Sequence, residues 1–271
     1  MKQIGIEELK VLQLEILQKV HDFCEANDIK YSLAYGTLLG AIRHKGYIPW
    51  DDDIDIMMVR DDYERFITLF HKTRPDYLDI MSPEINPNYY APYANVYDRR
   101  TLLVEPNSEH FQNKGPSDNI GVKIDIFPLD YLPAKAKKYY KLLKYAHDVN
   151  SIMYCKRHKP TLSNGLFCYI KEYLIRLVFA PIKYRYFQDT LIRKVKAVEH
   201  SCMIGNVVYA SNIELFSLNN MKYMDKVIFE NREFYSVHDY DTVLSQLYGD
   251  YMTLPPKELQ RYSHGFKAYW K

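Results

Sequence analysis

Four aspartates lie within the stretch IPWDDDIDIMM, and an apolar run follows them directly. Asp53 and Asp55 are separated by one residue in an extended pattern, so both carboxylates are expected on one face of a strand, with Ile54 and Ile56 on the other. Two such carboxylates can jointly hold Mg²⁺, a hard cation that keeps water ligands and also binds substrate phosphates. Because that ion stabilises the charge that develops on a transferred phosphoryl group, the spacing is typical of a phosphoryl-transfer site.

A third carboxylate stands alone in a later apolar stretch, VKIDIFPLD, where Asp125 occupies a predicted strand. Burial of an unpaired carboxylate costs free energy, so this position requires a cation or hydrogen-bond donors. For Asp125 taken alone, a hydrogen-bonded buried aspartate remains an alternative. Beside Asp53 and Asp55, a shared metal site is the stronger interpretation.

A calcium-binding loop competes with this interpretation. Asp51, Asp53, Asp55 and Asp62 fall at the first, third, fifth and twelfth positions of such a loop. The sixth position requires glycine for a sharp turn, and this chain has Ile56 there. A solvated acidic turn at a strand end is the other alternative, and both are weaker than the phosphoryl-transfer interpretation.

A Gly-Thr pair upstream of the aspartates offers a place for phosphate oxygens. The stretch IKYSLAYG predicts a strand that ends at Gly36, and TLLGAIRHKG predicts a short helix that Thr37 caps and Gly46 ends. Backbone N–H groups at the start of a helix bind phosphate oxygens. The order of Gly-Thr turn, paired aspartates and later lone aspartate therefore supports a phosphoryl-transfer site.

The helices and strands that the sequence predicts around these residues indicate an α+β fold. Apolar residues recur at three- and four-residue steps over residues 6–26, which predicts an amphipathic helix. A strand over 54–59 and a helix over 60–72 follow, and further strands are expected at 77–81, 93–98, 101–105 and 122–127. Strand–helix–strand alternation followed by a run of strands predicts a mixed sheet with helices packed against it.

The charge distribution predicts three parts of the chain: 1–133, 134–205 and 206–271. Residues 134–200 contain fifteen Lys and Arg against four Asp and Glu, although the whole chain has a net charge of +2. This part has a helical pattern, and its most apolar stretch, LFCYIKEYLIRLVFAPI, fits either a buried helix or a helix on a membrane surface. We predict a catalytic core, a basic helical subdomain that faces an acceptor or an anionic membrane, and a C-terminal part that packs on the core.

A cytoplasmic protein is expected. The N-terminus carries acidic residues within its apolar pattern, which is not typical of a secretory signal, and we predict no spanning helix. The four cysteines are widely spaced without a C-x-x-C pair, which predicts buried reduced thiols. Peripheral contact with the inner face of the membrane is compatible with the basic segment, and no nucleic-acid partner is expected.

Three stretches resemble the motifs of the LicD family: YGTLLGAIRHKGYIPWDDDIDI, KIDIFPLD and YGDYMTLPP. The resemblance extends from the first predicted strand to the tail and is weakest in the basic segment. It implies a nucleotidyltransferase-like fold and Mg²⁺-dependent transfer of phosphocholine from CDP-choline to a hydroxyl of a bacterial surface-glycan precursor, with release of CMP. The acceptor would be a teichoic-acid repeat or a lipooligosaccharide, free or lipid-linked.

The resemblance also implies site residues. Asp53, Asp55 and Asp125 would bind two Mg²⁺ or Mn²⁺ ions and carry catalysis. Asp125 is also a candidate acceptor of the hydroxyl proton. Asp52 is given only a supporting role. The predicted substrate-binding residues flank the acidic motif or lie in the tail: Gly36, Thr37, Arg43, His44, Lys45, Trp50, Asp51, Arg261 and His264.

Several roles stay open at this stage. Arg43, His44 and Lys45 either bind diphosphate oxygens or are helix C-terminal cations favoured by the dipole. Trp50 either stacks on cytosine, faces a choline ammonium or packs in the core. For the whole protein, the alternatives are transfer of another CDP-linked alcohol phosphate, as in the similar fukutin-type enzymes, nucleotidyl transfer, or non-catalytic glycan or nucleotide binding.

Overall fold

The computed structural model describes residues 1–86, 89, 91–104, 120–133, 135–157, 160, 162, 165–198, 201–207, 215–262 and 265–271. These residues form a mixed α+β fold, as predicted. The helices are α1 (Ile6–Ala26), α2 (Tyr35–His44), α3 (Arg60–Thr73), α4 (Ala136–Arg157), α5 (Leu166–Phe179), α6 (Tyr184–Lys196), α7 (Leu218–Lys222) and α8 (Tyr240–Tyr248). The strands are β1 (Lys2–Ile4), β2 (Ser32–Leu33), β3 (Asp55–Val59), β4 (Leu78–Met81), β5 (Ala94–Asp98), β6 (Thr101–Val104), β7 (Lys123–Tyr131), β8 (Met203–Gly205), β9 (Phe216–Ser217), β10 (Met224–Phe229), β11 (Arg232–Val237) and β12 (Lys267–Trp270).

A mixed sheet with the strand order β2-β3-β7-β5-β4 forms the centre of the molecule. β3 and β7 are parallel, whereas the other neighbours in this order are antiparallel. The C-terminal end of β7 also pairs with β8, which in turn pairs with β9. In β3, Ile56, Met57 and Met58 are all buried, as expected of a strand that is covered on both faces.

Helices α1 and α3 pack against this sheet and against each other. The apolar stripe of α1 is buried, including Leu9, Ile16 and Val20, so the periodicity of residues 6–26 correctly predicted the helix and its inner face. Phe23 of α1 meets Phe66 and Phe70 of α3 edge-to-face, with ring centroids 5.7 and 5.1 Å apart. These contacts hold α1 beside the strands that carry the acidic residues.

The last part of the chain closes on the first part. β12 lies between β1 and β6 in a three-stranded antiparallel sheet, and β10 and β11 form a hairpin beside α2. Trp270 Nε1 donates a hydrogen bond to Glu8 Oε1 over 2.9 Å, which fixes the chain end on α1. The C-terminal residues therefore pack on the region that precedes α2.

The basic part of the chain folds into α4, α5 and α6, in agreement with its predicted helical pattern. Side chains of α4 and α6 form a second apolar cluster together with Leu132 and Val207, next to the end of β7. Among the helices described, none combines the length and the apolarity that crossing a bilayer requires.

The predicted Gly-Thr turn is wrong in its details. β2 is only two residues long, and Gly36 already lies in the first turn of α2 rather than at a strand end. Thr37 does not cap the helix, because the N-cap residue is Ala34 and no side chain caps it. At the other end, Lys45 adopts a left-handed conformation with φ 60°, so it ends the helix one residue before Gly46.

The cysteines only partly match the prediction of buried thiols. All four are free, and Cys24 and Cys155 are buried. Cys202 is exposed because it lies in the connection before β8, where the chain runs along the surface.

Candidate active site

The central strands place Asp55 and Asp125 side by side. β3 and β7 run parallel, and these two residues are partners in the register. The backbone N–H of Asp125 donates to the carbonyl oxygen of Ile54 over 2.9 Å, which fixes the alignment. Two of the three predicted metal ligands therefore stand together at the start of neighbouring strands.

Asp53 lies two residues before β3 and one residue outside the strand predicted over 54–59. The alternation of burial nevertheless extends back to it: Asp53 and Asp55 are partly exposed, whereas Ile54 and Ile56 are fully buried. The burial of Ile54 anchors this segment, and Asp53 thus has the burial expected of a residue on the same face as Asp55.

The carboxylates in this region repel one another. Burial is the main cause that raises the pKa of Asp55 well above its ordinary value, and the charges of Asp53, Asp125 and Asp51 raise it further. The ammonium of Lys123 acts in the opposite direction. Such mutual repulsion is unfavourable unless a cation compensates it.

The carboxylates of Asp51 and Asp52 lie close to that of Asp53. Each of the three offers a carboxylate oxygen, and these oxygens lie within 4.8 Å of one another. Sequence reasoning placed Asp51 among the substrate-binding residues and gave Asp52 a supporting role, because the strand period selected Asp53 and Asp55 as the pair on one face. The segment is not a regular strand at this point, so its side chains can converge.

Gly36 leaves room for the carboxylate of Asp51. A Cβ atom at position 36 would lie 2.6 Å from Asp51 Oδ2, which is closer than atoms can approach. Gly36 lies in the first turn of α2, where backbone N–H groups have no partner within the helix and carry partial positive charge. The glycine therefore permits the acidic segment to approach the positive end of α2.

Thr37 connects α2 to β3. Its Oγ1 accepts a hydrogen bond from the backbone N–H of Asp55 over 2.9 Å, and the residue is only 3% exposed. The hydroxyl thereby satisfies a backbone donor at the start of the strand, one residue after Ile54. Thr37 is thus placed to position Asp55, and its contact with a substrate stays a prediction.

Asp52 ties the acidic segment to two distant parts of the chain. Its Oδ2 accepts a hydrogen bond from the backbone N–H of Gly265 over 3.0 Å, and its carbonyl oxygen accepts one from Gln13 Nε2 over 3.0 Å. Asp52 is 2% exposed. These contacts hold the acidic segment against α1 and the tail, and the supporting role of Asp52 in the reaction stays a prediction.

Asp125 has a cationic partner and an amide partner. Lys123 Nζ lies 2.7 and 3.0 Å from the two carboxylate oxygens of Asp125. Asn95 Nδ2 donates to Asp125 Oδ1, and the hydroxyl of Tyr89 donates to Asn95 Oδ1. The chain from Tyr89 through Asn95 holds the carboxylate in place.

Sequence reasoning missed these partners of Asp125. Lys123 was detectable, because residues two apart on a strand share a face, as Lys123 and Asp125 do in β7. Asn95 was not, since only the antiparallel register of β5 and β7 pairs it with Asp125.

The donor set of this cluster fits a hard divalent cation. Carboxylate oxygens from Asp51, Asp52 and Asp53 converge, and oxygen ligands of this kind suit Mg²⁺, whereas Zn²⁺ sites use mainly nitrogen and sulfur. The unfavourable charge at Asp55, next to Asp125, is what a bound cation would relieve.

A second group of predicted residues gathers at the C-terminal end of α2. Arg43 Nη1 donates to the carbonyl oxygen of Tyr251 over 2.6 Å, and Arg43 Nε donates to His44 Nε2 over 2.9 Å. Burial, then the charge of Arg43, lower the pKa of His44, in keeping with a ring nitrogen that accepts. The Trp50 ring packs edge-to-face on His44, 6.2 Å between centroids, and the side chain of Lys45 is exposed.

Arg261 and His264 are the two substrate-binding residues that were predicted in the tail. Arg261 is exposed and follows the short 3-10 helix Lys257–Leu259. His264 lies outside the residues that the structure describes. The described neighbour Gly265 is the tail residue that reaches the acidic segment, through its bond to Asp52.

Comparison with known proteins identifies the family. Residues 28–151 match the family described as "LicD/FKTN/FKRP, nucleotidyltransferase domain", a range that includes the acidic segment, β3 and β7. The lipopolysaccharide cholinephosphotransferase LicD of Haemophilus influenzae is 34% identical over 275 residues, which cover 99% of each chain. An uncharacterized protein of Rickettsia prowazekii is 43% identical over 130 residues, 41% of this chain and 46% of that protein.

The chain belongs to the LicD family. The similarity to the Haemophilus relative extends over the whole chain, including the basic helices in which the motifs were weakest. The protein is therefore a transferase of that family.

Proposed function

We propose that the protein transfers phosphocholine from CDP-choline to a hydroxyl of a bacterial surface-glycan precursor and releases CMP. The observation that carries the proposal is the full-length similarity to a lipopolysaccharide cholinephosphotransferase. The acidic cluster around Asp53, Asp55 and Asp125 supports it, since phosphoryl transfer depends on charge compensation at the phosphates. Among acceptors, a lipopolysaccharide-type glycan is favoured over teichoic acid by the relative's name.

The same residues are proposed to bind a metal cofactor. Asp53, Asp55 and Asp125 are the proposed ligands of Mg²⁺ or Mn²⁺, in one or two sites, and Asp51 offers a further carboxylate oxygen. When bound, the metal would neutralise charge on the diphosphate and on the departing nucleotide.

The reaction is a direct displacement at the choline-side phosphorus. The acceptor oxygen forms a bond to that phosphorus, and the bond to the bridging diphosphate oxygen breaks. CMP leaves with the electron pair of the broken bond, and the hydroxyl proton passes to a carboxylate of the cluster. Asp125 is the proposed acceptor of this proton, because Asn95 fixes its orientation.

Lys123 has a role in this scheme that the motifs did not reveal. Its ammonium binds both oxygens of Asp125, so that both are engaged in the substrate-free protein. We propose that the donor diphosphate draws Lys123 away as a new anionic partner, so that Asp125 becomes available when the donor is bound.

The larger architecture is proposed to serve the same reaction. A nucleotidyltransferase-like core in residues 1–133 would hold the donor, and the tail in 206–271 completes it through the bond of Gly265 to Asp52. The basic helices in 134–205 would meet a glycan or lipid-linked glycan acceptor on the cytoplasmic side of the membrane.

The proposal is tested by CMP release against a panel of CDP-linked alcohols, with glycan precursors as acceptors. We expect Mg²⁺- or Mn²⁺-dependent release from CDP-choline, loss of activity in chelator, and restoration by added metal. Asp53→Asn should lower turnover by about a hundredfold or more, because a neutral amide neither binds Mg²⁺ strongly nor offsets its charge.

Asp148→Asn, at an exposed carboxylate on α4, is the matched control and should retain full activity. Near-normal turnover of a folded Asp53→Asn variant would overturn the site assignment. A preference for CDP-ribitol over CDP-choline would instead overturn the assignment of the transferred group.

A further inference from the structure

Helix α5 turns its apolar side away from the protein. None of its residues is buried. The large apolar residues on its outer side are 47–81% exposed: Leu166, Phe167, Ile170, Tyr173, Leu174, Leu177 and Val178. Steps of three and four residues connect them, so they share one continuous helical face.

The inner side of α5 carries its polar groups. Cys168, Glu172 and Arg176 are partly buried where α5 packs on α4. Burial and then the charge of Glu172 raise the pKa of the Cys155 thiol on α4, whereas the charge of Lys171 lowers it. The inner side also holds Tyr169, Ile175 and Phe179, but a helix on the surface of a water-soluble protein rarely exposes so many large apolar residues while it partly buries Glu172 and Arg176.

The attachment of α5 is nevertheless specific. Lys156 of α4 donates hydrogen bonds to the carbonyl oxygens of Phe179, Ala180 and Ile182, over 2.6 Å to Phe179 and 3.2 Å to Ala180. These bonds satisfy carbonyl groups at the C-terminal end of α5, where helices lack internal partners. The outward apolar face is therefore held in a defined orientation.

Basic residues lie on α5 and in the chain that follows it. Lys171 lies at the edge of the apolar face, and Lys183 and Arg185 follow α5; all three are exposed. The whole segment 134–200 has fifteen basic and four acidic residues. An apolar helical face with a basic border is complementary to an anionic bilayer, which offers an apolar interior beneath negative headgroups.

We propose that α5 is a monotopic membrane anchor that lies in the interface of an anionic bilayer. Leu166, Ile170, Leu174 and Leu177 enter the boundary between headgroups and acyl chains, and Phe167 and Tyr173 lie at the headgroup level. With 14 residues, α5 is too short to span a bilayer, so it binds parallel to the surface. The inference rests on exposure and charge and is independent of the proposed reaction.

Vesicle flotation tests this proposal with the full chain. We expect the protein to float with vesicles that contain phosphatidylglycerol and to float much less with pure phosphatidylcholine. The double variant Leu174→Glu, Leu177→Glu should bind the anionic vesicles at least roughly tenfold less, since charged side chains resist transfer into the apolar layer. Val11→Glu, at a residue 55% exposed on α1, is the matched control and should bind like the wild type.

Leu177→Trp provides a second readout that keeps the face apolar. Its emission should shift to shorter wavelength when anionic vesicles are added, because the indole enters a less polar layer. The proposal is overturned by a lack of preference for anionic vesicles, or by equal binding of the Glu variants and the wild type. It is equally overturned if sedimentation velocity finds a dimer that the Glu variants dissociate, since a second copy would then cover α5.

Discussion

Gly36 and Asp51 form the tightest contact between α2 and the acidic segment. Gly36→Ala would place a methyl group 2.6 Å from Asp51 Oδ2 and displace that carboxylate. The backbone at Gly36 does not have positive φ, and alanine favours helix over glycine, so the fold should be at least as stable. We expect CMP release to fall by about a hundredfold, the effect of a displacement of roughly 1 Å in a positioned site.

Gly5→Ala is the control for this substitution. Gly5 precedes α1, and a Cβ atom there would have no neighbour within 4 Å. Activity and melting temperature of the control should match the wild type. If Gly36→Ala is fully active with an unchanged fold, the position of Asp51 is not important for the reaction.

Lys123 is the cation nearest to the predicted base. In Lys123→Met the donor diphosphate loses a charge-assisted hydrogen bond of about 1.5–3 kcal/mol, so the KM for CDP-choline should rise about ten- to a hundredfold. Lys226→Met, which removes an exposed lysine near Glu233, should leave KM unchanged. An unchanged KM in Lys123→Met, together with a lower melting temperature, would mean that Lys123 neutralises Asp125 and does not bind the donor.

At the scale of elements, Thr37 joins α2 to β3. Thr37→Val keeps the shape of the side chain but leaves the buried N–H of Asp55 without its partner, which costs about 1–3 kcal/mol. Urea unfolding should show this loss, whereas Thr37→Ser, which keeps the hydroxyl, should lose less. Equal stabilities of the Val variant and the wild type would mean that the bond does not stabilise the junction.

The long elements were predictable because their patterns are repeated many times. The period of α1, the acidic first turn of α3 and the strand patterns of β3 and β7 each pointed to the element that the structure contains. The short junction between β2 and α2 was not, because no local rule reveals that Thr37 bonds across to Asp55. For α5 the sequence left a buried and an outward apolar face as alternatives, since periodicity finds an apolar stripe but not its direction.

At the scale of the molecule, the fold gathers residues that the sequence separates. The parallel pair of β3 and β7 brings Asp55 to Asp125, β5 adds Asn95, and the tail reaches Asp52 through Gly265. The order of the motifs singled out the aspartates. Their hydrogen-bond partners depend on strand register and on the contact of the tail with Asp52. The similarity to the Haemophilus relative covers 99% of the chain and therefore includes all of these elements.

CDP-choline labelled separately in its choline and cytidine parts identifies the transferred group directly. With Mg²⁺ and a glycan acceptor, we predict that the choline label appears in the glycan while the cytidine label is released as CMP. Both labels should stay in CDP-choline when Asp53→Asn replaces the wild type. Appearance of the cytidine label in the glycan would contradict the account, because it would mean attack at the nucleotide-side phosphorus.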